Sequence, residues 1–241
     1  LIKPFGIEVQ GQYTVMHEIQ QQNQQTGQMM RVTFPVVQVD QFPKDPITSP
    51  LQSLMVLLAP TSGQAGPMGL PTVVSQAKAP PANVQDTVIM STPGTSDYWG
   101  ETEYSQSATY TPGVDMKAPL PLAVSAILSK GDKSKERRVV VIGSEYFAAN
   151  PFLDEVAGYA QVGNSLVGVQ AFPGNSELMK NAVLWLGGYE NMIAVSPKAN
   201  VALRIGNVRP GMLEFLRWIL CLGLPVAALV VGGIVWFARR R

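Results

Sequence analysis

The feature that most constrains this chain is its end. From Trp218 to Ala238 there is no charged residue, and the run closes in Arg239-Arg240-Arg241. A bilayer core takes about 20 apolar residues of helix, which this stretch supplies. A helix buried in a protein core is rarely apolar on every face and does not stop in three arginines. Trp218 and Trp236 stand near the two ends, where amphipathic rings favour the membrane interface. Pro225 and Gly232-Gly233 are breakers that membrane helices tolerate. The expectation is a body over residues 1–211, a transmembrane helix over 212–238 and a basic tail at 239–241.

Orientation follows from the charges. Three consecutive arginines stay cytoplasmic, although Arg204, Arg209 and Arg217 on the other flank, offset only by Glu214, reduce the contrast. This places the chain in the inner (cytoplasmic) membrane, in contact with membrane lipid, with its bulk extracytoplasmic. An exported body needs an upstream signal or anchor. Leu1 opens the chain without an initiator Met or a signal-like region, so the sequence reads as a fragment.

Composition narrows the classes further. Lys and Arg number 18 against 17 Asp and Glu, and three of the cations sit in the tail. A nucleic-acid partner is not expected, because its footprint is a clustered basic face. The single cysteine, Cys221, lies in the expected span and has no second cysteine to pair with. With His17 the only histidine, a zinc-type site lacks its ligands, and neither metal nor cofactor is expected. Charged residues make up only 15% of the chain while Gly and Pro are frequent, which points to a loop-rich β or α/β body.

Along the chain, residues 1–16 alternate loosely around Gly6 and Gly11 and suggest two short strands. The glutamine-rich run from Ile19 to Met30 reads as a solvated loop or hairpin tip. Arg31 to Val39 is strand-like, with Pro35 arguing for an edge or a bulge. Gly66-Pro67-Met68-Gly69 is no phosphate loop, since no Gly-Lys-Ser/Thr follows. Thr95 to Thr102 reads as an exposed polar loop. Leu122–Leu128 and Val139–Ile142 flank a charged turn and suggest a hairpin. The second run is continuously β-branched, as strands buried on both faces are. From Asn175 the period changes: Leu178, Ala182 and Trp185 share a helical face, Asn175 or Ser176 caps it, and Gly187-Gly188 stops it.

Catalytic constellations are missing from the pattern. No Gly-x-Ser-x-Gly elbow occurs, and His17 sits among glutamines, so no enzyme is expected. One place has a positional argument, the carboxyl end of Val139–Ile142, since open α/β sheets bind ligands there. Ser144 and Glu145 follow directly, then Asn150; helix amides at Asn175 would favour an anion in the same crevice. Ser144, Glu145, Asn150 and Asn175 are the candidate site; Asn150 and Asn175 serve equally as turn and cap residues.

Several motifs stand in a fixed order: Phe5-Gly-Ile-Glu-Val, Asp45-Pro-Ile-Thr-Ser-Pro-Leu, Thr95-Ser-Asp-Tyr-Trp-Gly-Glu-Thr-Glu and Ala118-Pro-Leu-Pro-Leu-Ala-Val. Arg138-Val-Val-Val-Ile-Gly-Ser-Glu-Tyr-Phe, Asn150 and Gly174-Asn175-Ser-Glu-Leu-Met-Lys-Asn181-Ala-Val-Leu-Trp185-Leu-Gly-Gly complete the series. In this order they resemble the gliding-motility-associated ABC transporter auxiliary (substrate-binding-like) family, over its C-terminal half. Asp45 occupies a position where that family usually has histidine.

The resemblance implies an extracytoplasmic α/β domain with a partly parallel sheet, similar to class I glutamine amidotransferase-like folds but without a catalytic triad. It also implies partners, an ABC permease and an ATPase that carries the ATP hydrolysis. The expected function is a membrane-anchored, non-catalytic auxiliary subunit that scaffolds the complex or presents cargo. The alternative is an anchored binding module for sugars or surface polymers.

Overall fold

Alternation near the start of the chain builds one long strand, β1 (Ile7–Gln22), instead of two. Gly11 falls inside an irregularity in its pairing between Gln10 and Thr14. The Thr72 hydroxyl braces this bulge, within donor distance of the carbonyls of Gln10 (3.0 Å) and Tyr13 (2.8 Å). A bulge bends a strand without ending it, which is why Gly11 marks no boundary.

The computed structural model describes residues 2–22, 27–52, 54–63, 66–105, 108–129, 136–162 and 165–193, with Trp218, Cys221, Leu222, Leu229, Trp236 and Arg239 beyond them. After β1 come β2 (Met29–Phe34), β3 (Val37–Val39), β4 (Val56–Leu58), β5 (Thr61–Gly63), β6 (Gly66–Met68) and β7 (Thr72–Gln76). Then follow β8 (Val84–Ser91), β9 (Tyr98–Glu101), β10 (Met116–Lys117), β11 (Pro121–Leu128) and β12 (Arg137–Ile142). The short helix α1 (Asn150–Leu153), the hairpin β13 (Val156–Val162) and β14 (Ser165–Gln170), and α2 (Pro173–Leu186) complete the order. One sheet runs β10-β9-β1-β2 with β7 also on β1; a second runs β12-β11-β8.

Every described strand pair is antiparallel, so the expected α/β fold with a partly parallel, amidotransferase-like sheet is not formed. Parallel neighbours need a crossover of a dozen or more residues, usually a helix, and both described α-helices come after the main sheets are complete. The run Val139–Ile142 was the misleading signal. It forms a hairpin with β11, Ala123 opposite Ile142, at the edge of its sheet and only half-buried. Branched side chains there report fit to a pleated surface and not burial on both faces.

The core lies between the sheets and one face of α2. Leu178, Ala182 and Trp185 pack on Ile47, Leu51 and Leu58. The end of α2 is tied down by Arg138 of β12, whose Nη1 donates to the Trp185 carbonyl (2.7 Å) and to Glu190 Oε1 (2.5 Å). Its guanidinium also lies 5.0 Å from the centre of the Trp185 ring. Charge-assisted bonds and a cation–π contact at a mostly buried site are together worth about 1–3 kcal/mol. Arg138→Met is expected to lower stability by that amount, read as a shift of the urea midpoint with unchanged slope.

The segment Thr95–Thr102, expected as an exposed loop, contains β9, and Trp99 is among the most buried residues of the protein. Its indole Nε1 donates to Glu101 Oε2 (3.0 Å), and Glu101 Oε1 accepts the Glu103 N–H (3.1 Å). Those bonds let a carboxylate and an indole share a buried strand that polar composition placed outside.

The chain divides into two compact units, 1–200 and 201–241. In the second, Trp218, Leu229, Trp236 and Arg239 are helical, and the backbone at Cys221 and Leu222 makes a wider turn of helix. No helix among the described residues is long and apolar enough to cross a membrane. The longest, α2, has 14 residues, about 21 Å against a hydrocarbon core of about 30 Å. The single-span localisation in the inner membrane is corrected on that finding. The expected span over 212–238 rests on hydropathy, and most of those residues lie outside the described ones. Pro225, Arg240 and Arg241 lie outside the described residues.

Candidate functional site

The carboxyl end of β12 does border a groove. It measures about 250 Å³ and is lined by Val9, Leu70, Thr72, Ile142, Ser144 and Glu145, among others. Gly143 creates the corner. Its N–H donates to the Leu122 carbonyl (2.8 Å), and its own carbonyl accepts the Thr72 N–H (2.7 Å), joining β7 to the β11–β12 hairpin. A Cβ at this position would sit 2.0 Å from the Thr72 carbonyl oxygen, so the two backbones close this tightly only around glycine. Beyond the corner, the Ser144 hydroxyl is buried and has no hydrogen-bond partner among the described residues, while Glu145 is exposed. Valine, leucine and isoleucine make up much of the wall, with Thr72, Ser144 and Glu145 as its polar side chains.

The other two candidates stand elsewhere. Asn150 opens α1, exposed, and its carbonyl accepts the Asp154 N–H (2.9 Å). Asn175 is fully buried and does not cap α2, which starts at Pro173. Its amide pairs with the main chain of β4: Nδ2 donates to the Leu57 carbonyl (2.8 Å) and Oδ1 accepts the Leu57 N–H (2.8 Å). Nδ2 also donates to the Phe147 carbonyl (2.8 Å). Both amide donors are thereby engaged inside the protein, and Asn175 acts as a clamp between α2, β4 and the segment after β12.

The motif from Asp45 to Leu51 has a similar internal role. Asp45 Oδ1 accepts the Ile47 N–H (2.9 Å), its carbonyl accepts the Ser49 N–H (2.8 Å), and Asn181 of α2 donates to the Ile47 carbonyl (3.1 Å). Burial raises the Asp45 carboxyl above its ordinary range, against the lowering effect of the Ile47 bond. A turn seated on a helix accounts for this segment.

A second cavity, about 350 Å³, is bordered by Val39, Asp40, Gln41, Pro43, Ser91 and Thr92, among others. No local motif announces it, because its walls come from β3, β8 and the loops after them. Thr92 Oγ1 already accepts the Leu120 N–H (2.9 Å), and Asp40 is the one charged residue among the described residues of the wall.

His17 stacks on Tyr98, ring centres 4.1 Å apart, with Nε2 3.4 Å from Asp97 Oδ2. Burial lowers the imidazole pKa and outweighs the opposing attraction of Asp97. Burial, with Asp97 next, pushes the Tyr98 phenol up to about 12. A depressed histidine favours folding above its unfolded value, near 6.5, and that contribution is lost as pH falls through the folded value. His17→Phe keeps the stack and removes the titration. Its stability relative to the unaltered protein is expected to improve as pH is lowered from 7.5 to 5, in paired urea titrations.

Among the described residues no three His, Cys, Asp or Glu side chains are grouped to hold a metal ion. No family model, curated protein or solved structure matches the chain.

Proposed function

We propose that the chain is a non-catalytic auxiliary subunit of an ABC-type transporter, scaffolding its permease and ATPase subunits or presenting cargo to them through protein–protein contacts. The observation that carries this reading is the outer face of α2. Met179, Val183 and Leu186 are exposed along one stripe, and Tyr189 and Met192 continue the exposed apolar surface past the helix end. The opposite face of the same helix is already buried in the core. A surface helix normally turns polar residues outward, and a contiguous exposed apolar patch marks an interaction site. The polar side chains of the ordered motifs (Asn175, Asn181, Glu101, Arg138) are meanwhile engaged in internal bonds. Recognition then rests on contact area more than on a polar pocket.

The test is affinity purification of the tagged full-length protein from detergent-extracted cells, with mass spectrometry of what accompanies it. A stoichiometric ATPase and multi-span permease are expected, and Val183→Glu with Leu186→Glu should release both while the fold persists by circular dichroism. Recovery of the protein alone overturns the reading. The groove beyond Ile142 favours a second one, a binding module for sugars or surface polymers, because Ser144 and Glu145 are among its lining residues. That reading requires saturable binding in calorimetry that weakens in Ser144→Ala and Glu145→Ala; unchanged binding removes this site.

A further inference from the structure

The two ends of the larger sheet are finished differently. At one end β10 is only two residues long, carries Lys117 and runs into Ala118-Pro119, the usual devices that keep an edge from pairing with another chain. At the other end β2 is six residues long, Met29–Phe34, in unbroken register with β1 and without Lys, Pro or bulge. Its one charge, Arg31, is matched by Glu18 on the neighbouring strand (3.3 Å). Among the described residues no strand lies on its far side.

This end of the sheet is also a ribbon that outruns the body. β1 pairs with β9 only from Thr14 to His17, and the last bond on that side joins the Glu18 N–H to the Asp97 carbonyl. Past that point β2 is the only strand paired with β1 among the described residues. A two-stranded ribbon is marginal by itself in water. Yet the face that carries Val15 into the core continues outward as Ile19 and Val32, then as Met30, with Phe34 beside His17 at the base. Ile19, Met30 and Phe34 are exposed there.

We propose that β2 pairs edge to edge with β2 of a second copy of this chain, antiparallel about a two-fold axis through Val32. The strand is self-complementary in that register. Val32 faces Val32, Met30 faces Phe34, and Arg31 faces Thr33, so apolar residues meet on one face and no like charges oppose each other. Such cross-strand pairs are the unit of sheet stabilisation. Pro35, directly after Phe34, ends the pairing on one side. The two ribbons become a four-stranded sheet, which meets the size that a ribbon alone lacks. A foreign strand would have to supply this pattern; a second copy has it already.

The test uses the full chain with Cys221→Ser as background. At the axis two Val32→Cys residues would have Cα atoms about 4.5–5.5 Å apart, within disulfide reach. Thr33→Cys residues would be about 8 Å apart by strand spacing and rise, and beyond it. A covalent dimer on mild oxidation at position 32 and none at position 33 is the expected result. Sedimentation should show a reversible dimer of twice the monomer mass, weakened at least about tenfold by Val32→Lys, which sets like charges opposite each other. Monomer throughout the micromolar range, equal cross-linking at both positions, or a Val32→Cys adduct with a different protein would each overturn the proposal.

Discussion

Asn175→Ala is expected to cost about 3–5 kcal/mol, through the buried main-chain groups it leaves without partners. The substitution strands the Leu57 N–H and the carbonyls of Leu57 and Phe147, all paired at 2.8 Å by the amide. A buried polar group left without a partner costs about 1–3 kcal/mol, and the three are adjacent enough to share some relief. Asn175→Asp keeps the acceptor for Leu57 but points a carboxylate at two carbonyls, so it should be no better than alanine at neutral pH. Domains of this size hold about 5–15 kcal/mol in total, so either change removes a large fraction. Denaturant titration gives the magnitude. Hydrogen exchange at the Leu57 amide identifies the cause: its protection should fall in the variant, and retained protection would mean the clamp is not what holds β4.

Gly143→Ala is the second large effect, and its mechanism is different. The new Cβ would meet the Thr72 carbonyl oxygen at 2.0 Å and its carbon at 3.0 Å, both backbone atoms held in paired strands. Neither can move without breaking the Thr72–Gly143 hydrogen bond that joins β7 to the β11–β12 hairpin. Overpacking a rigid contact of this kind costs about 3 kcal/mol or more. Gly11→Ala is the control, since nothing lies within 4 Å of its added Cβ, and a change within about 0.5 kcal/mol is expected there. Equal melting shifts for the two variants would refute the close-approach account of Gly143. The experiment also bears on the groove, whose corner Gly143 forms.

These two sites show what kind of information a sequence holds. The α2 face of Leu178, Ala182 and Trp185 is legible because helical period is a local property, and the same face is buried in the structure. The hairpin of β11 and β12 is legible for the same reason, two apolar runs across a short charged turn. A groove does border the end of Val139–Ile142, but the rule that pointed there belongs to open α/β sheets, which these antiparallel strands do not form. Parallel pairing could not be judged from Val139–Ile142, since branched residues suit any pleated strand and the direction of pairing depends on what connects the strands. Trp99 and Glu101 looked like loop residues because the bond between them, which makes burial tolerable, is invisible in composition.

Asn175 marks the boundary most clearly. Its residue type, its neighbours and its place near a helix start were all readable, and they fit a cap or a ligand-binding group. Its partner Leu57 is 118 positions away, and nothing in either segment names the other. By itself the sequence determined the periods of its strands and of its long helix, the turn chemistry between them and the position of one strand end. Only the tertiary structure decided that all described strands pair antiparallel, that Gly143 is a contact point between backbones, and that Asn175 holds the fold together. The physical reason is common to all three: each depends on a hydrogen bond or a steric contact between residues far apart in sequence, and such pairings are selected by the packing of the whole chain.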